Sequence, residues 1–219
     1  MVMLLRCTLA AAAVLAWLAP AQAQVAAPVK AVASFSILGD IVKNVGGDRV
    51  AVTTLVGPDG DAHVFQPTPG DARALAEAQI LFLNGLGFEG WMERLAQSAG
   101  YKGPVVVASQ GIQPQKMAED EDQKGHAHGH SHGAKDKKGA HDHGTFDPHA
   151  WQDPRNVARY VEAIAAGLIK ADPAGEATYT ANAESYKKQL AALDAWVKTE
   201  VTQIPKDKRK VITSHDAFG

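Results

Sequence analysis

An α/β fold with a parallel sheet flanked by helices is predicted for this 219-residue chain, and three observations predict it. Between Val29 and Ala108, β-branched or apolar strand-type segments alternate with segments of helical spacing. Glycine and proline clusters punctuate the alternation. From Pro154 onward, two periodic helical stretches follow one another, and the second is long. Strands that take turns with helices imply βαβ units, whose ligands bind outside the carboxyl ends of the strands.

Taken in order, Val29 to Phe35 reads as a strand, and Ile37, Ile41 and Val42 mark a helix stopped at Gly46-Gly47. Arg49 to Val56 is a second strand, closed by the turn cluster Gly57-Pro58-Asp59-Gly60, with His63 directly after it. Thr68-Pro69-Gly70-Asp71 resembles a helix start, with Thr68 as cap and Asp71 near the positive helix end. The spacing then predicts a short helix over 72–78, a strand over 79–84, a helix over 88–98 and a strand over 104–108. Asp153 can cap the next helix and Pro154 fits its first position. Val157, Tyr160, Val161, Ile164, Leu168 and Ile169 share one face of it, and Asp172-Pro173 ends it. Tyr179, Ala183, Tyr186, Leu190, Leu193, Val197 and Val201 continue as a rod of about 30 residues, on the order of 45 Å. Such a rod suits a strut spanning two lobes. Lys206 to Lys210 is a basic surface turn, and 210–213 reads as a further strand before His215.

Residues 1–23 are expected to be a signal peptide: Arg6, an apolar run from Leu9 to Leu18, and the small-x-small site Ala21-Gln22-Ala23. The run is too short for a stop-transfer helix, so the mature protein is expected in a bacterial periplasm. Cys7 lies within this segment, leaving a mature chain of 196 residues without a thiol; any metal site must come from His, Asp and Glu. Arg6 leaves with the signal, so 21 basic residues face 24 acidic ones, a net −3 with histidines neutral. No basic stripe suggests nucleic acid, and no second apolar run suggests a membrane span.

The chemistry concentrates in histidines. A tract over about 118–145 lacks hydrophobic period, begins acidic, and carries His126, His128, His130, His132, His141 and His143. Its composition reads as metal-binding, an auxiliary scavenger of modest affinity, because each capture must order the chain. Asp147-Pro148-His149-Ala150-Trp151-Gln152-Asp153-Pro154 places His149 on stiff backbone just ahead of a helix start. His63 and His215 each follow a strand end, so chain order alone points to convergence at one rim of the sheet.

With those three histidines in view, the chain resembles the zinc-type solute-binding proteins of bacterial metal-ion ABC importers. The resemblance rests on Gly60-Asp61-Ala62-His63 with Gln66-Pro67-Thr68-Pro69, on the segment 147–154, on Thr213-Ser214-His215-Asp216-Ala217-Phe218-Gly219, and on the acidic, His-rich tract. It implies a periplasmic metal-binding-protein fold: two α/β lobes joined by one long linking helix, with the metal between them. On that pattern, residues 24–153 form the N-terminal lobe, 154–205 the helices including the interlobe helix, and 206–219 the start of a C-terminal lobe left incomplete. His63 and His149 would be ligands from the first lobe and His215 from the second. The resemblance also implies a fourth, carboxylate ligand beyond Gly219, so the sequence looks C-terminally truncated. Asp61, Asp147 and Asp216 are candidates to orient an imidazole through its second N–H.

The expected function is capture of Zn²⁺ and delivery to an ABC permease in the inner membrane, by a monomer that performs no covalent chemistry, with a periplasmic zinc chaperone as a further partner. Relatives selective for manganese look to have glutamate where His215 stands; three imidazoles suit zinc, whereas Mn²⁺ prefers oxygen. A manganese or other divalent-metal component of the same importer class is one alternative. A secreted zinc hydrolase is the alternative from another class, since three histidines plus water is also a catalytic arrangement; no His-Glu-x-x-His helix is present. A periplasmic zinc buffer or adhesin is a third.

Overall fold

The computed structural model describes residues 27–116 and 146–210. The signal segment, the six histidines of the acidic tract, His215 and the strand expected at 210–213 (Lys210 apart) therefore lie outside the described residues.

Four parallel strands form one sheet in the order β2-β1-β3-β4. They are β1 (Val29–Phe35), β2 (Val50–Val56), β3 (Ile80–Leu83) and β4 (Val105–Val107). The register sets Ala31 beside Val52 on one side and beside Ile80 on the other, and Phe82 beside Val106. β1 lies between two strands, which explains why only Lys30 along its seven residues is exposed. The alternation in the sequence is thus realised as parallel βαβ units.

Five helices cover the sheet: α1 (Ser36–Gly46), α2 (Pro69–Ala76), α3 (Met92–Ala99), α4 (Pro154–Ala171) and α5 (Glu176–Gln203). Right-handed crossovers put α1 on one face and α2 with α3 on the other, because the chain reverses its direction of travel across the sheet after β2. α4 and α5 pack with α1, while α2 packs with α3. The core joins Leu38, Val42 and Val45 of α1 to Tyr160, Ile164 and Leu168 of α4 and to Tyr179 of α5. Gly167 lets α4 approach β4 closely: a Cβ there would stand 2.5 Å from Val106 Cγ2.

Helix starts follow the expected chemistry. Thr68 Oγ1 accepts from Asp71 N while Asp71 Oδ2 accepts from Thr68 N at 2.7 Å, a complete capping box. Asp153 Oδ1 accepts from Arg155 N at 2.8 Å, with Pro154 in the first turn. Several boundaries depart from expectation: the strands expected over 79–84 and 104–108 run over Ile80–Leu83 and Val105–Val107, and two helices shift further. The helix expected over 72–78 runs from Pro69 to Ala76, starting directly after its cap Thr68. The helix expected from Phe88 begins only at Met92, since Gly85, Leu86 and Gly87 hold φ values of 88°, 58° and 79° and wind the chain into a turn first.

α5 has 28 residues, about 42 Å of rod, yet its buried side chains are confined to Tyr179, Ala183 and Leu190. Its far half carries Leu193, Trp196, Val197 and Val201 exposed, with Trp196 at 59%. Where α4 hands over to α5, Asp172 Oδ2 accepts from Tyr179 OH at 2.6 Å and from Arg49 Nη2 at 2.7 Å, tying the helical pair to the start of β2. The Tyr179 hydroxyl first, and Arg49 after it, hold the Asp172 carboxyl below the ordinary range. A carboxylate whose folded pKa is depressed contributes stability above the unfolded value, near 3.9, and loses it as pH falls through the folded value. Asp172→Asn is therefore expected to lower the thermal midpoint at pH 6–7, with the gap to wild type closing below about pH 4. A gap that stays constant across that range in thermal melts would contradict the assignment. Tyr179→Phe, which removes one buried hydroxyl, is expected to cost about 1 kcal/mol at neutral pH.

Candidate metal centre

The turn after β2 and the segment ahead of α4 meet at the carboxyl end of the sheet. Each presents a histidine in the same way. Asp61 Oδ1 accepts from the backbone N of His63 at 2.8 Å, and Asp147 Oδ1 accepts from the backbone N of His149 at 2.8 Å. Both are Asp-x-His turns in which the aspartate satisfies a donor the loop would otherwise leave bare. The two Nε2 atoms face each other at 3.0 Å.

His149 is fixed tightly. Only 6% of it is exposed, and its Nδ1 lies 2.7 Å from Asp147 Oδ1. A carboxylate accepts only, so Nδ1 carries the proton and Nε2 offers its lone pair toward His63. Asp147 N in turn donates to Gln115 O at 2.9 Å. The His63 loop is held from behind: Trp91 Nε1 donates to Ala62 O at 2.7 Å, and Phe65 stacks edge-on against Trp91. Phe35, Phe88 and Trp151 form an aromatic floor with centroid separations of 4.8–5.1 Å. Phe88 meets the His63 ring at 4.7 Å, and Trp151 meets the His149 ring at 5.3 Å. The resulting cleft, of about 240 Å³, is lined by Ser36, Asp61 and Ala62 as well as by both imidazoles.

Buried polar groups complete the surround. Asn84, fully buried at the end of β3, donates through Nδ2 to Pro148 O at 2.8 Å and to Gly85 O at 3.0 Å. Tyr160 OH donates to Asn84 Oδ1 at 2.6 Å, and burial pushes the Tyr160 phenol up, so it remains a donor. Glu89 accepts from Ser34 Oγ at 2.5 Å, from Asn84 N at 2.7 Å and from Gly85 N at 3.1 Å. Burial pushes its carboxyl up, and those three donors pull it back.

Two nitrogens about 2.0–2.1 Å from one ion at a tetrahedral angle stand roughly 3.3 Å apart, so a few tenths of an ångström of opening would admit a metal between these rings. Of the three histidines singled out in the sequence, two are brought together and the third, His215, lies outside the described residues. Among the described residues no group of three or more His, Cys, Asp or Glu is placed to hold an ion. Asp147 orients an imidazole through its second N–H; Asp61 bonds the backbone of its histidine. Sequence reasoning missed Asn84 and Glu89 altogether, and it gave Trp91 no more than a place on one face of the helix expected over 88–98.

The family described as ZnuA, zinc-uptake complex component A, periplasmic, matches residues 31–219. This chain belongs to that family. It is 35% identical to the manganese-binding lipoprotein MntA of Halalkalibacterium halodurans, over 87% of this chain and 55% of that protein. It is 32% identical to the iron-binding protein YfeA of Yersinia pestis, over 87% of this chain and 54% of that one. Among solved structures, a mutant of a periplasmic metal-binding protein from Candidatus Liberibacter asiaticus, in Mn-bound form, superposes with a TM-score of 0.68 at 30% identity, covering 85% of this chain and 62% of the other. The chain thus spans about half the length of the curated relatives it matches. Members of the family are metal-binding components of transporters and not enzymes, which sets aside the hydrolase alternative.

The tautomer assignment is open to direct measurement. Long-range ¹H–¹⁵N NMR of the metal-free protein is expected to show His149 as the Nδ1–H form, and Asp147→Ala to shift it toward a mixture of forms. An Nε2–H tautomer in wild type would overturn the assignment.

Proposed function

We propose that this protein captures a divalent metal ion, zinc foremost, outside the cytoplasm and passes it to the permease of an ABC importer. One observation carries the reading: two imidazole Nε2 atoms at 3.0 Å, one of them oriented by a carboxylate behind it, at the carboxyl end of a parallel sheet. His63 and His149 serve as first-lobe ligands, and His215 closes on the ion from the other side. Residues 1–23 export the chain to the periplasm. Residues 24–153 form the first lobe and 154–205 the linking helices, and from 206 onward the second lobe begins. The exposed apolar stripe of α5, Leu193 to Val201, supports that division, since such a surface asks for a partner. The His-rich tract gathers ions without forming the main site.

Manganese is the second reading, because a relative 35% identical bears manganese in its name. Oxygen-rich sites suit Mn²⁺ and imidazole-rich sites suit Zn²⁺. Chelator-competition titration with Zn²⁺ and with Mn²⁺ decides between them; zinc should bind at least tenfold tighter. Ligation needs unprotonated imidazoles, so affinity should fall on acidification. His149→Ala should weaken zinc binding far more than deletion of residues 119–144. Were the deletion to abolish tight binding while His149→Ala kept it, the ligands would be elsewhere.

A further inference from the structure

We infer that the loop 84–89, through Asn84 and Glu89, is the positioning element that sets the spacing of the two metal-facing imidazoles. This rests on the reading of His63 and His149 as ligands and adds two residues to it that touch no ion. The peptide group linking Pro148 to His149 is clamped on both sides: Asn84 Nδ2 donates to its oxygen at 2.8 Å, and its N–H donates to Asp147 Oδ1 at 2.8 Å. With that plane fixed and Nδ1 bound to the same Asp147 oxygen, the place of His149 Nε2 follows. Asn84 is itself immobilised, both of its side-chain donors and its acceptor being engaged.

The other imidazole is reached by the same loop. Phe88 packs edge-on against the His63 ring at 4.7 Å. Phe88 lies next to Glu89, whose carboxylate accepts from Asn84 N and Gly85 N and draws the loop closed. That closure is needed, because Leu86 sits at φ 58°, a left-handed conformation that persists only where surrounding bonds over-determine it. Gly85, at φ 88°, tolerates no side chain: a Cβ would stand 2.5 Å from Val107 Cγ1. One short turn therefore touches the His149 backbone through Asn84 and the His63 ring through Phe88. Loosening it at Glu89 moves both.

The test is Zn²⁺ and Mn²⁺ affinity by chelator competition on the whole chain, read beside the thermal midpoint. Asn84→Asp keeps the shape but replaces the donor to Pro148 O by an acceptor; Glu89→Gln keeps the shape but places an amide donor against backbone N–H groups. Each is expected to weaken metal binding about tenfold or more, the range for residues that orient ligands without touching the ion. Tyr179→Phe, remote from the site, serves as the control: it lowers the midpoint and leaves affinity within twofold. Wild-type affinity in both loop variants, or an equal loss in Tyr179→Phe, would overturn the inference. Should neither loop variant fold, Ser34→Ala, which removes the hydroxyl donor to Glu89, carries the same test with a smaller expected loss. A wild-type protein that binds neither metal, or a His149→Ala variant that binds both as well as wild type, would instead overturn the functional reading beneath it.

Discussion

Everything at the cleft depends on where the His149 ring is allowed to be. Its Nδ1–H bond to Asp147 at 2.7 Å fixes the tautomer, so the nitrogen facing His63 carries a lone pair rather than a proton. The same Asp147 oxygen accepts the backbone N–H of His149, so one carboxylate controls both the ring and the chain that bears it. A histidine with 6% exposure would ordinarily be expensive to hold polar and ready; here the side chains of Asp147, Asn84 and Glu89 are satisfied by the fold and not by a ligand, while the buried indole N–H of Trp151 beside the ring has no partner among the described residues. The two imidazoles are thus held facing each other by the fold itself.

The sheet explains why that pair is where it is. β1 sits between β2 and β3, so the chain leaves β1 toward one face and returns from β2 toward the other. At that reversal the loops part and leave a crevice beyond the carboxyl ends. Phe35 at the end of β1 and Phe88 just after β3 floor it, while the segments after β2 and β4 supply the two histidines. Trp91 belongs to the same logic: its indole bonds Ala62 O and transfers the rigidity of α3 to the His63 loop.

Much of this was legible in the sequence, for identifiable reasons. The strands β1 and β2 and the helices α1 and α4 announce themselves because apolar spacing, Gly46-Gly47, Asp153 and Asp172-Pro173 all agree at their borders. His63 and His149 could be named because each follows a strand or precedes a capped helix. The start of α3 was not legible. Phe88 has helical spacing to Trp91 and Leu95, but Glu89 accepts from Asn84 N and Gly85 N within the same loop and from Ser34 Oγ of β1, and these bonds hold the loop in a turn against that period. Asn84 was equally opaque: a single amide at the end of an apolar run looks like a strand terminus, and its role exists only once Pro148 and Tyr160 are folded against it.

On the proposed reading of His63 and His149 as ligands, metal preference cannot reside in those two residues alone. Two neutral imidazoles 3.0 Å apart would accept most first-row divalent ions, with affinity following the general order that favours copper and zinc over manganese. Discrimination must come from the donors that close the shell: another imidazole deepens the zinc preference, whereas carboxylates shift the balance toward Mn²⁺ and permit higher coordination. The exposed far half of α5 bears on the same point. A rod of 28 residues anchored over its first half at Tyr179, Ala183 and Leu190 can hold whatever packs on Trp196 and Val201 at a set distance from His149. A stiff spacing penalises an ion whose bonds are too long or too many for the gap, so selectivity would be written jointly in the identity of the closing ligands and in the length of the helix that presents them.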